Sequence, residues 1–263
     1  MKYGFIGCGN MGSALIRAAV KAVDPSRIMI TDTDEKKAEA LAQETGTAFT
    51  DLKTLAEETQ MIFLGVKPQM MEALFKNLQP LLDKRQDRFV LVSMAAGLSI
   101  EGIRDLGHVY PVIRIMPNLA ASVNEGMILW AEDGANEEET EDFKQLMKYA
   151  GKLLEVPEEK IDAGSAISGC GPAYVYLFLE ALADAGVSLG LTRDQALLLA
   201  SQTVIGAAKL QQETGKHPGE LKDAVCSPGG TTIAGVLALE KGAFRSTVSD
   251  AVLAAFKRTR ELG

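Results

Sequence analysis

The chain has 263 residues, 47% of them hydrophobic, and a formal net charge of -8. That length allows one or two domains around a large core, and the acidity argues against nucleic acid or an anionic membrane surface as the main partner. The three cysteines, Cys8, Cys170 and Cys226, stand far apart with no CxxC pair, as expected of reduced thiols, and with only His108 and His217 to join them no metal site is expected.

Met1 leads at once into a strand-like run, and no continuous apolar run approaches the roughly 18 residues a membrane helix needs. Neither a signal peptide nor a membrane span is therefore expected, and a cytoplasmic location follows as the expectation. Residues 3–7 (YGFIG) read as a short buried strand, and the glycine-rich turn to Gly12 opens a helix with Leu15, Ile16, Ala19 and Val20 on one face. Further strands are expected at residues 27–31, 47–50, 60–66, 89–94, 109–115 and 126–131, with helices at 35–44 and 137–149. Strands separated by helical stretches imply parallel pairing through right-handed crossovers, hence a doubly wound α/β sheet with helices on both faces.

Beyond Gly151 the texture changes. From Glu158 onward only helical periods appear, broken by Gly and Pro near residues 169–172, 186–190, 215–219 and 227–230. The domain break is expected at Val156 and Pro157, giving domains 1–156 and 157–263. In the helix expected over 173–187, Tyr174, Leu177, Phe178, Ala181, Leu182 and Ala185 form one stripe, while Val175, Tyr176 and Leu179 fill most of the other side. A helix apolar nearly all round must be covered all round, so two chains are expected to interleave these helices as an obligate dimer.

The first chemistry-bearing motif is GFIGCGNMG, with Gly7, Gly9 and Gly12 in GxGxxG spacing between a strand and a helix. The first glycine makes the turn, the second lets backbone approach a pyrophosphate, and the third lets helix and strand pack closely. Asp32 ends the second strand 20 positions after Gly12, where a carboxylate meeting a ribose is expected, and the whole fingerprint reads as dinucleotide binding. Asp34 has two readings, helix N-cap or cofactor contact. Which dinucleotide is bound stays open, because the Asp32 carboxylate repels a 2′-phosphate while Lys36 and Lys37 attract one.

Val66, Lys67 and Pro68 end the fourth strand, on the edge where open parallel sheets bind ligands. Lys67 reads either as a neighbour of the nicotinamide or as a surface lysine before a Pro turn. Residues 93–97 (SMAAG), with Ala96, end the fifth strand in small side chains that let a nicotinamide come near backbone. Arg114 to Asn118 (RIMPN), with Met116, end the sixth, where Pro117 and Asn118 read equally as turn chemistry. Late in the chain, residues 227–232 (SPGGTT) make a tight turn into an apolar helical run. That turn reads either as an ordinary turn with a Ser or Thr cap or as a set of bare N–H groups suited to a small carboxylate.

With GFIGCGNMG, VKP (66–68), MAAG (94–97), RIMPN (114–118), SGCGPAY (168–174), HPGELKD (217–223) and SPGGTT (227–232), the chain resembles the pyrroline-5-carboxylate reductases of proline biosynthesis over essentially its whole length. The resemblance implies a Rossmann domain followed by a helical, intertwined dimerisation domain, with dimers often assembled into a ring of five. It also implies NADPH or NADH as cofactor, touching Ile6, Gly7, Cys8, Asn10, Met11, Asp32, Asp34, Val66, Lys67 and Ala96. Substrate would meet Glu158, Gly230, Thr231 and Thr232, and Ser227 and Gly229 of the same turn are expected to bind it as well.

The implied reaction delivers hydride to C5 of 1-pyrroline-5-carboxylate. Backbone N–H groups at Gly229 to Thr231 hold the carboxylate and the Thr232 hydroxyl bonds the ring nitrogen, a role that needs no strong acid. The chain departs from the family's common pattern at Cys170, often Ser, at Leu119 and Ala120, often Thr and Pro, and at Leu52, often Asn near the cofactor ribose. A β-hydroxyacid dehydrogenase of the 6-phosphogluconate type shares the opening motif but needs a catalytic lysine on the linking helix, and residues 161–182 contain none. A non-catalytic NAD(P)H sensor or an oligomeric scaffold leaves the SPGGTT turn without a task.

Overall fold

In the computed structural model, which describes residues 1–262, short runs of β-branched and aromatic residues become strands, buried on both faces in the middle of the sheet and more exposed in β3 and β8 at its edges. They are β1 (Tyr3–Ile6), β2 (Ile28–Thr31), β3 (Ala48–Phe49), β4 (Met61–Leu64), β5 (Val90–Ser93), β6 (Val112–Met116), β7 (Gly126–Asp133) and β8 (Gly151–Glu155). All belong to one sheet of order β3-β2-β1-β4-β5-β6-β7-β8. The crossover helices are α1 (Asn10–Ala22), α2 (Glu35–Thr45), α3 (Leu52–Glu58), α4 (Met71–Leu82) and α5 (Ile100–Asp105), with α6 (Glu137–Met147) between the last two strands.

Alternation along the strands divides the core into two layers. Phe5, Phe63, Val92 and Ile113 face Leu15, Ile16, Leu41 and Phe143 from α1, α2 and α6. Ile6, Ile62, Leu64 and Leu91 face Leu55, Phe75, Leu78 and Ile103 from α3, α4 and α5.

Two features of the sheet differ from the expected all-parallel arrangement. The β7 strand runs antiparallel to β6. Only a short 3₁₀ segment, Leu119–Val123, joins them, too little chain for the dozen or more residues that a parallel crossover takes. The β8 strand was not expected at all: it pairs with β7 in parallel at the sheet edge, and its partly exposed residues lack the apolar run that marks a buried strand.

From Glu158 the described chain is helical: α7 (Glu158–Ser168), α8 (Gly171–Ser188), α9 (Arg193–Thr214), α10 (Pro218–Ala224), α11 (Thr231–Lys241) and α12 (Phe244–Leu262). Breaks fall where Gly and Pro stand, as at Gly215, which ends α9 in the left-handed conformation with φ +64°. Two compact units form, one of residues 1–169 with the chain from Ala255 on, the other Cys170–Ala254. The first unit runs past the break expected at Val156 and Pro157, because α7 packs on the sheet through Ile161, which joins Met116, Leu129 and Ala131 in one apolar cluster.

The second unit leaves its apolar side chains largely bare. Within α8 only Ala183 is buried, while Leu177 is 67% exposed, Leu198 on α9 68% and Leu237 on α11 62%. The segment Glu158–Ser188 is also, by length and composition, long and apolar enough to cross a membrane, contrary to the expectation that no such stretch exists. Helices built to be covered by other helices share that composition with membrane spans, and isolated Glu180 and Asp184 are too few to lower it.

Candidate active site

Strand β1 sits beside β2 on one side and β4 on the other, so the chain reverses its direction of travel across the sheet at this point. A crevice opens there at the carboxyl ends of the strands, where doubly wound sheets receive ligands. It encloses about 480 Å³ and is lined by Ile6, Gly7 and Gly9 of the first turn, Thr31, Asp32 and Thr33 after β2, Gly65, Val66 and Lys67 after β4, and Leu52, Met70, Ala73, Leu74 and Asn77 from the flanking helices.

The glycines of the first turn divide the work as their spacing predicts. Gly7 has φ +103°, and a Cβ there would come within 2.6 Å of the Gly65 carbonyl oxygen. A Cβ on Gly12 would stand 2.1 Å from the Gly7 carbonyl oxygen, whereas one on Gly9 would meet no protein atom within 4 Å. Gly9 therefore keeps clear a space on the crevice side, and as N-cap of α1 it contributes no side-chain hydrogen bond. The first N–H groups of α1 are left bare at the positive end of the helix, and these residues fit a diphosphate.

Asp32 stands at the crevice rim with its carboxylate tied down at both oxygens. Oδ2 accepts from the Cys8 N–H at 2.5 Å, and Oδ1 accepts from the Asp34 N–H at 2.9 Å. Asp34 is the N-cap of α2, accepting from the Lys37 N–H at 3.2 Å, and it does not line the crevice. Cys8 is buried behind the turn, and burial, then the charge of Asp32, pushes its thiol up to about 12. Its side chain is thus closed to the crevice, and its backbone is engaged as well, the N–H with Asp32 and the carbonyl with the Ser13 hydroxyl at 2.8 Å.

Of the other expected site residues, Val66 and Lys67 line the crevice, and Pro68 opens the short turn that follows. Asn10 and Met11 begin α1. Ala96 is exposed in the turn after β5. Met116 is buried under Leu129 and Ile161. The Asn118 side chain donates to the Ser168 carbonyl at 2.9 Å and accepts from the Met127 N–H at 3.2 Å, so both ends of its amide hold backbone.

Glu158 is similarly engaged: one carboxylate oxygen accepts from the Ile100 N–H at 2.7 Å and from Arg114 Nη1 at 3.1 Å. Arg114 is buried in β6 and also donates to Asp162 at 2.7 Å, while its Nε has no partner. Sequence reasoning missed this network, since nothing local pairs a β6 arginine with carboxylates on α7. It also missed Met70, Leu74 and Asn77 as crevice walls, because α4 reaches the site only through packing.

In the second unit, residues 227–232 form the tight turn expected. The Gly230 N–H donates to the Ser227 carbonyl at 3.0 Å, and Gly229 takes φ +68°. Gly230 is the N-cap of α11, and no side chain caps that helix. The Ser or Thr cap of the ordinary-turn reading is therefore absent, and the N–H groups of Thr231 and Thr232 face outward from an exposed helix start. The Gly230 N–H, expected to help hold a carboxylate, is instead spent inside the turn.

Residues 158–262 match the family model for pyrroline-5-carboxylate reductase dimerisation, and residues 2–97 that for coenzyme F420-dependent NADP oxidoreductases. A pyrroline-5-carboxylate reductase of Glycine max is 43% identical over 98% of this chain and 95% of its own length. Among solved structures, a pyrroline-5-carboxylate reductase from Coxiella burnetii superposes with a TM-score of 0.91 at 32% identity, covering 100% of this chain and 98% of its own. A pyrroline carboxylate reductase of Plasmodium falciparum, solved with NADP bound, gives 0.88 at 32% identity with the same coverage.

Proposed function

The chain belongs to the pyrroline-5-carboxylate reductase family, and from that premise we propose how its own residues carry the reaction. It is an NAD(P)H-dependent oxidoreductase that reduces the C=N bond of 1-pyrroline-5-carboxylate to give L-proline. When bound, the reduced nicotinamide supplies the hydride that ends on C5 of the ring.

Ile6, Gly7 and Cys8 border the diphosphate, and past the bare Gly9 the N–H groups at the start of α1, at Asn10 and Met11, are presented to it. Asp32 faces the adenosine ribose, and Val66, Lys67, Pro68 and Ala96 border the nicotinamide side. Met116 and Asn118 act as scaffold, since burial or hydrogen bonding inside the chain occupies their side chains, and Asp34 caps α2 through one oxygen, leaving the other for a cofactor contact. The N–H groups of Thr231 and Thr232, with Gly229 and Ser227 setting the turn, hold the substrate carboxylate and so supply the proximity that the hydride step needs. The Thr232 hydroxyl bonds the ring nitrogen, which either arrives protonated or draws its proton through water.

The observation carrying this reading is the uncapped start of α11 behind a turn with one positive-φ glycine. Such donors at a helix N-terminus attract a small carboxylate and have no other partner among the described residues. Residues 157–263 serve as the substrate-binding and dimerisation domain, two chains form the working unit, five such dimers close a ring, and the reaction runs in the cytoplasm. Mixing the purified chain with 1-pyrroline-5-carboxylate and either NADH or NADPH should bleach the nicotinamide absorbance while proline accumulates. No turnover with either nucleotide would overturn the assignment.

A further inference from the structure

We infer that Asp32 makes this chain select NADH over NADPH. The inference rests on the reductase reading for its cofactor class and deepens it by naming the donor. A carboxylate at the end of β2 suits a ribose carrying a free 2′-hydroxyl, to which each of its oxygens can still offer a lone pair. The same carboxylate opposes a 2′-phosphate, which brings about two further negative charges.

What the structure adds is that Asp32 cannot step aside. Its two oxygens are held by the N–H groups of Cys8 and Asp34, so swinging the carboxylate away from a phosphate would strand both donors. The neighbouring crevice wall offers no compensation: Gly9, Thr33 and Leu52 carry no charge, and the one lysine in the lining, Lys67, follows β4 rather than β2.

Lys36 and Lys37 at the start of α2 are the cations that could answer a phosphate, and both are exposed and outside the lining.

Fluorescence titration of the full chain with each reduced nucleotide, without substrate, tests the idea through binding alone. NADH should bind at least about tenfold more tightly than NADPH, and Asp32→Asn, which keeps one acceptor for the Cys8 N–H, should narrow that ratio several-fold by strengthening NADPH. Lys37→Met should move neither constant by more than about twofold. Tighter NADPH binding in the unaltered chain, an unchanged ratio in Asp32→Asn, or selective loss of NADPH in Lys37→Met would each overturn it. Failure of the reductase reading looks different: selective NADH binding would persist while pyrroline-5-carboxylate is not turned over. Binding of neither nucleotide would overturn both.

Discussion

Thr232 presents a hydroxyl that caps nothing in its own helix and lies exposed at the start of α11. Thr232→Ala should remove one directed bond to the ring nitrogen, costing about 1.5–3 kcal/mol if that nitrogen is charged, or roughly ten- to a hundredfold in kcat. Steady-state kinetics at saturating nucleotide checks this, and full activity would remove the residue from the mechanism. Glu158 tests a different kind of contribution, because its carboxylate serves the Ile100 N–H and the buried Arg114 together. Glu158→Ala should lower unfolding free energy by about 2–3 kcal/mol by leaving buried donors unpaired, and Glu158→Gln by less, since its amide oxygen still accepts. Denaturant titration measures both. The Cys8 thiol, raised to about 12 from 9.0, should resist alkylation at pH 8 until the chain unfolds. The unfolded thiol ionises first as pH rises above about 9, so this group's stabilising contribution is lost between there and about 12.

Among the elements, the join between α11 and α12 contains a residue in an unusual conformation, Ala243 with φ +57°. An L-residue with a Cβ pays for that conformation where glycine does not, so Ala243→Gly should stabilise the chain by about 0.5–1 kcal/mol, read as a raised denaturation midpoint. How far the elements could be read from sequence depended on whether their signal was local. The strands β1, β2, β4, β5 and β6 carry runs such as FI, IMI, MIFL and VLV, whose two-sided burial leaves a plain apolar mark. The β8 strand has only an edge to occupy and reads as polar, and the antiparallel turn into β7 depends on a short connection. Site residues followed the same division. Gly7, Gly9 and Asp32 were legible because their spacing is set by one βαβ unit, and Lys67 because it follows directly on the apolar run of β4. The Arg114, Glu158 and Asp162 network was not, because it exists only once α7 lies against β6.

For the whole molecule, the bare apolar faces of α8, α9 and α11 are what the dimer proposal rests on, with association as a condition of stability. Light scattering at low micromolar protein should give at least twice the chain mass, Leu177→Asp should reduce it towards the monomer, and the thermal midpoint should rise with protein concentration. A monomer mass independent of concentration would end the dimer proposal. The near absence of burial along α8 also reaches back to the moment of synthesis. On the dimer proposal, a newly made chain carries a segment with the length and composition of a bilayer span that stays uncovered until it meets a sister copy. The encounter is second order in chain number. Halving expression should therefore lower the yield of mature enzyme by more than half.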